Sequence, residues 1–332
     1  MAEWLFEAGI GENRAALIEG GRMVEMAIER DDDPGPRLGA VLSGRLIRKA
    51  DASGRGQVAL ADGTIVQLTP VPPSLTEGSA VAVEIVREPI PEGTLLKPAR
   101  ARLAAAEAAP GPGPDLWAQI NAGGLSVRRL GRDATLDDHG WSDAIEQATS
   151  GLFSTPDLLL RISLTPAMTL IDVDGGGSAA ELAVAGARAA GRAIRLFGIA
   201  GSIGIDLPTL TGKADRQATA AALDAVLPQP FERTAVNGFG FLQIVRRRTR
   251  PSIPERIAAD PVAAAALDLI RRASRASGHG ALTLQAHPRV IARVATRTDW
   301  IDALARAIGA PVTLREDGAL AISAGHASRA TP

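Results

Sequence analysis

The chain of 332 residues contains no cysteine and no tyrosine, and only 3% of it is aromatic. Without cysteine there is no disulfide and no thiolate zinc site. No run of 18 apolar residues occurs, so no membrane-spanning helix is expected. The opening MAEWLFEAGIGENR lacks a basic segment followed by an apolar core, so no secretory signal is expected. A cytoplasmic protein fits these absences. Gly175, Gly176 and Gly177 are not followed by the G-K-[ST] of a phosphate-binding loop. His139, His279, His287 and His326 have no carboxylate or thiol at ligand spacing, so no metal site is assigned to them.

What is present suffices for a folded chain. Hydrophobic residues make up 46%, enough for a sizeable core, and the length suggests two or three domains. The net charge of −1 conceals an asymmetry: residues 1–98 carry 10 Lys/Arg against 15 Asp/Glu, residues 99–230 carry 11 against 14, and residues 231–332 carry 15 against 8. A basic final third would attract an acidic polymer, or it is a solvated Arg-rich surface.

The most informative stretch runs from Ala167 to Asp206. Met168 to Val173 is a short β-branched run that reads as a buried strand, with Asp172 near its end and Asp174 at the same parity. Ser178 is placed to cap a helix carrying Leu182, Ala185, Ala189, Ile194 and Phe197 at helical spacing. Gly198 and Gly201 end it, and Ser202 to Leu207 reads as a second strand with Asp206 near its end. This is a strand–helix–strand unit, and a parallel crossover sets Asp172 beside Asp206 at the carboxyl ends of neighbouring strands, where open α/β sheets hold their sites. Carboxylates there either cap local backbone or hold a hard cation such as Mg²⁺.

Around this unit, Glu3–Ala8, Arg14–Glu19 and Met23–Glu29 read as a three-stranded meander, and Asp31 to Asp33 as a solvated loop. Residues 38–96 hold strands punctuated by Gly and Pro and suggest a small barrel. The barrel segment has no Phe, Tyr or Trp; Val58 and Val66 stand where base-stacking rings are sought. Ala99 to Ala108 reads as a short helix followed by a stiff linker. Asp215–Val226 reads as a helix, with Lys213 before it facing either phosphate or solvent. Val236 to Val245 reads as a buried strand running into Arg246, Arg247, Arg248 and Arg250, either a phosphate-binding fork or a solvated strand end. Residues 256–332 read as a small α+β module with closing strands at Pro311–Arg315 and Ala319–Ser323.

Three blocks, AMTLIDVDGG, RAIRLFGIAGSIGIDL and VNGFGFLQIVRRRTRPSI, occur in an order and spacing that resembles the ribonuclease E/G family. The resemblance implies an α/β and α+β multidomain chain. Its parts would be N-terminal strands of a ribonuclease H-like part (1–34), an S1/OB-like β-barrel (38–96), a linker with short helices (97–156), a central α/β catalytic core (157–255) and a small α+β domain (256–332). It further implies an endoribonuclease in which Asp172 and Asp206 are catalytic and hold Mg²⁺, or Mn²⁺ in its place. Asp174, where the family usually has Asn, would be a third metal ligand. Lys213, Arg246, Arg247, Arg248 and Arg250 would bind single-stranded RNA. The family's two-Cys zinc link is absent, so no zinc is expected and any homo-oligomer would form without it. About 75 residues separate Lys97 from Asp172, too few for the family's 5′-end sensor domain. The alternative is a non-catalytic relative that binds RNA or a protein partner.

Overall fold

The computed structural model describes residues 1–49, 52, 54–93, 95–131 and 133–329. The chain begins with an antiparallel meander of β1 (Ala2–Glu7), β2 (Glu12–Glu19) and β3 (Arg22–Arg30). A closed barrel follows, from β4 (Val41–Arg48), β5 (Gly56–Leu60), β6 (Ile65–Leu68) and β7 (Ala80–Arg87). A hairpin of β8 (Ile90–Glu92) and β9 (Leu95–Lys97) leads into β10 (Arg100–Leu103), which closes the barrel between β6 and β7. The helix expected over Ala99–Ala108 is therefore a strand. Alanine favours helix locally, but pairing with two neighbouring strands outweighs that preference. Val58 and Val66 are fully buried in the barrel core, so neither occupies a surface position from which a base could be stacked.

After the barrel come α1 (Leu116–Ala122) and β11 (Ser126–Arg129), which pairs parallel to β1 and extends the first sheet to the order β11-β1-β2-β3. The barrel is thus an insertion within one sheet, and residues 97–156 contribute strands to the barrel, to the first sheet and to the sheet that follows. A 3-10 turn (Leu136–His139), α2 (Trp141–Ser150) and β12 (Leu152–Ser154) lead into β13 (Leu158–Leu164). Then follow β14 (Thr169–Gly175), α3 (Ala179–Leu196), β15 (Gly201–Asp206), α4 (Lys213–Asp224), β16 (Glu232–Arg233) and β17 (Phe241–Arg246). They form a six-stranded sheet of order β12-β13-β14-β15-β17-β16, in which β14 and β15 are the one parallel pair among the described residues. The strand expected from Val236 begins only at Phe241.

Helix α5 (Ile253–Ala259) packs into the main core through Ile253 and Ile257, and the small C-terminal body holds α6 (Pro261–Ser274), β18 (Leu282–Ala286), α7 (Pro288–Ala295), α8 (Thr298–Ile308), β19 (Val312–Glu316) and β20 (His326–Arg329). Its closing strand lies at 326–329 and not at Ala319–Ser323. No helix among the described residues is long and apolar enough to cross a membrane.

Helix α3 organises the main core. Ser178 and Glu181 form a capping box that starts it, and Ala183, Ala187, Ala190, Ala193 and Ile194 are buried. Gly186 lets it approach β14 closely, since a Cβ there would stand 2.5 Å from a Val173 methyl. Behind α3, Leu5, Ala16, Met26 and Ile28 of the first sheet join the same core. At its end Arg195 donates to Glu19 (2.6 and 3.0 Å) and to Glu25 (2.9 Å). One face of the six-stranded sheet is covered by α3; the other remains open, with Leu170, Arg161, Asp172 and Val245 all exposed.

In the acidic triplet after β3, Asp31 and Asp32 are exposed as expected of a solvated loop, but two of the three carboxylates also make ion pairs. Asp33 pairs with Arg256, and Asp32 pairs with Arg293 and lies 3.6 Å from Arg297. Arg271 pairs with Asp137 of the 3-10 turn, and Arg275 reaches Glu7 at 3.2 Å. The ring of Trp300 fills the space above Gly11, where a Cβ would stand 2.5 Å from it. The basic excess of residues 231–332 is thus answered in large part by acidic residues of the same chain.

Candidate functional site

The parallel pairing of β14 with β15 sets Asp172 directly opposite Asp206 in Cα register. Neighbouring strands lie about 4.8 Å apart, and residues in register point to the same side. Thr169, Ile171 and Val173 of β14 and Ile203 and Ile205 of β15 are buried toward α3, so Asp172 and Asp206 project from the open face. Asp206 is the last residue of β15, immediately before Leu207 and Pro208 break the strand. The two carboxylates therefore share one side of the sheet at its carboxyl end.

A third group, not foreseen from the sequence, joins them. Arg161 of β13 is the cross-strand partner of Asp172. Its guanidinium lies 3.6 Å from the Asp172 carboxylate and pairs with Asp174 diagonally along β14. All three side chains are about half exposed, so the pairing is screened by water and contributes little stability. Arg161 sits in the alternating run DLLLRISL, where it breaks an apolar series. That signal is legible, but its partner depends on a register that no sequence spacing reveals.

Asp174 thus stands in an ion pair with Arg161. Asp172 and Asp206 are left as the carboxylate pair in register. A pair suits Mg²⁺, which takes oxygen ligands, usually keeps several waters and is bound through one or two carboxylates plus substrate phosphate. The residues present fit the ion.

The loop after β16 is built against this end of the sheet. Asn237 accepts from the backbone N–H of Phe239 (2.9 Å) and Phe241 (3.0 Å) through its side-chain oxygen, and Gly240 N–H donates to Asn237 O at 3.1 Å. Gly240 has φ of 90° and lies so close to Leu207 O and Pro208 O that no Cβ fits. Leu207 N–H donates to Gly240 O at 3.2 Å. The turn is therefore fastened to the chain that leaves Asp206.

The arginine run lies elsewhere. Gly201 at the start of β15 pairs with Arg246, whereas Asp206 pairs with Phe241. Five residue steps of about 3.4 Å put Arg246 about 17 Å from the aspartate end along the strand. Arg246 donates to Ile199 O at 3.0 Å, and burial pushes its guanidinium below its ordinary value, against an opposing pull from Glu25. Arg248 pairs with Glu255 in the capping box of α5, and Arg250 donates to Gln119. Arg247 is exposed and has no hydrogen bond or ion pair among the described residues. Lys213 opens α4, is exposed and likewise has no such partner. The run and the aspartate pair are not brought together, and three of its four arginines already have intramolecular partners. Replacing Arg248 with Ala is accordingly expected to lower the unfolding midpoint while leaving the slope of RNA affinity against salt unchanged. A slope reduced by about one would instead show a lost phosphate contact.

No family profile matches this chain, and no curated protein matches it in sequence to a significant degree. What the site can do is therefore argued from its own geometry. It offers two carboxylates in register, a guanidinium with half its surface in water, and an open sheet face beside a rigid turn.

Proposed function

We propose that the chain is a metal-dependent endoribonuclease of the ribonuclease E/G type, acting on single-stranded RNA in the cytoplasm. The observation that carries this reading is the register of Asp172 against Asp206 on the open face, at the carboxyl end of the parallel pair. Bound there, Mg²⁺ would supply an activated water and offset the charge that develops on a phosphodiester. Asp172 and Asp206 would hold the ion through their oxygens. Arg161, steered by Asp174, would fork onto a non-bridging phosphate oxygen. The open face leaves room for an extended strand, while α3 behind the sheet fixes the positions of both aspartates.

One observation favours the alternative, a non-catalytic RNA-binding or protein-interaction relative. Arg161 already pairs with Asp174 and stands beside Asp172, so the site carries one positive charge of its own without a metal. The deciding experiment is incubation of the purified chain with a mixed pool of single-stranded RNA, with Mg²⁺, with Mn²⁺ and with chelator. Cleavage that needs the divalent ion supports the nuclease. Binding without cleavage under every ion supports the alternative.

A further inference from the structure

We propose that the Asn237–Gly240 turn is a nucleobase-binding subsite, with Phe239 as its stacking platform; this rests on the reading of the aspartate pair as a site acting on nucleic acid. The chain has six phenylalanines and no tyrosine. Phe6 and Phe197 are buried, Phe153, Phe231 and Phe241 are half-buried, and Phe239 alone is 83% exposed. Its ring stacks on no other ring among the described residues.

An exposed ring on a floppy loop would mean little. This one sits at the third position of a turn held by Asn237 through two N–H bonds and fastened to Leu207 by a glycine for which no other residue fits. The backbone is thus ordered before a ligand arrives, which reduces the entropy lost on binding. The turn is also in place: Phe241, two residues on, is the register partner of Asp206. Phe241 and Leu170 pack over Gly204 on the open face, where a Cβ would lie 2.6 Å and 3.0 Å from them, and give an apolar patch on the same face, next to the row of Asp172 and Asp206. The Asn237 amide nitrogen has no hydrogen-bond partner among the described residues, and its fixed orientation lets it donate to a base edge. A ring that stacks any base is tolerant of sequence and demands an unpaired strand. The barrel offers no such ring, so single-strand preference would reside in this turn.

The test measures binding and cleavage separately. A labelled short single-stranded RNA is titrated in chelator, where binding is read without hydrolysis. Phe239→Ala is expected to weaken binding about tenfold, Phe239→Trp to retain it, and the unfolding midpoint of both to match the wild type because the ring touches no core. An abasic nucleotide moved along the strand should weaken wild-type binding by a similar factor at one position and add nothing to the loss in Phe239→Ala. An unchanged affinity in Phe239→Ala overturns the subsite and leaves the ring to a protein partner. An equal loss on a fully abasic strand also overturns it, because the turn would then hold backbone and not base. Wild-type cleavage with Mg²⁺ is scored independently. A protein that cleaves with Phe239→Ala binding normally refutes only the subsite, and one that binds through Phe239 without cleaving refutes only the nuclease.

Discussion

Asp172→Asn and Asp206→Asn are each expected to lower RNA cleavage by at least about 10²-fold, with RNA binding retained or strengthened. Each substitution keeps the shape of the side chain and removes one of the two charges that would hold the ion. The metal and the water it activates act as one unit, so losing either ligand should cost nearly as much as losing both. Binding moves the other way, because a negative charge beside the phosphate is gone. Asp174→Asn separates two roles for the third carboxylate. As a ligand it would match Asp172→Asn; as the partner of Arg161 it should cost far less. The measurement is single-turnover cleavage of one defined RNA by all three variants at saturating protein. Cleavage that persists in Asp172→Asn and Asp206→Asn, or in chelator, would place the chemistry outside this pair and sink the proposed mechanism.

How much of this could be read beforehand depends on the range of the interaction. The β14–α3–β15 unit was legible because its signals are local. They are a β-branched run, a capping Ser178 with Glu181 three residues on, apolar residues at helical spacing, and glycines at the exit. A right-handed parallel crossover then leaves little choice about where Asp172 and Asp206 go. Arg161 escaped because its meaning lies in a cross-strand register between β13 and β14. The strand β10 escaped because an Ala- and Arg-rich segment reads as helix until two barrel strands claim its backbone. The long-range pairs of Asp32 and Asp33 with Arg293 and Arg256 escaped for a similar reason, since an acidic triplet beside Pro and Gly has every local mark of a solvated turn. The Asn237–Gly238 dipeptide is a local turn signal, outweighed in the sequence by the apolar run that follows it. On that account the sequence reads Phe239 as part of the strand from Val236 to Val245.

The largest expected effect on stability lies far from the aspartates, at Glu12. This carboxylate is 5% exposed, and its cross-strand partner Arg30 and its neighbour Arg14 are as deeply buried. Arg14 donates to it at 2.5 Å and Arg30 at 2.8 Å, and the Arg14 guanidinium lies 5.5 Å from the centre of the buried Trp141 ring. Burial alone would raise the Glu12 carboxyl, but the two guanidiniums outweigh it and hold the group below its ordinary value of 4.5. A depressed carboxyl contributes stability that is fully present above the unfolded value and is lost as pH falls through the folded one. Glu12→Gln keeps the volume but leaves two buried guanidiniums facing each other, and removing one member of such a group typically costs about 3–5 kcal/mol. The loss should not stay local. Arg30 N–H donates to Asp33 at 3.0 Å, and Asp33 holds Arg256 on α5. The expected result is a lower urea midpoint at pH 7, a shallower fall in stability below pH 4.5 than in wild type, and earlier exposure of both buried tryptophans, Trp141 and Trp300. A midpoint shift worth less than about 1 kcal/mol would mean that the group behaves as a surface pair, and that the carboxylate does not anchor this end of the first sheet.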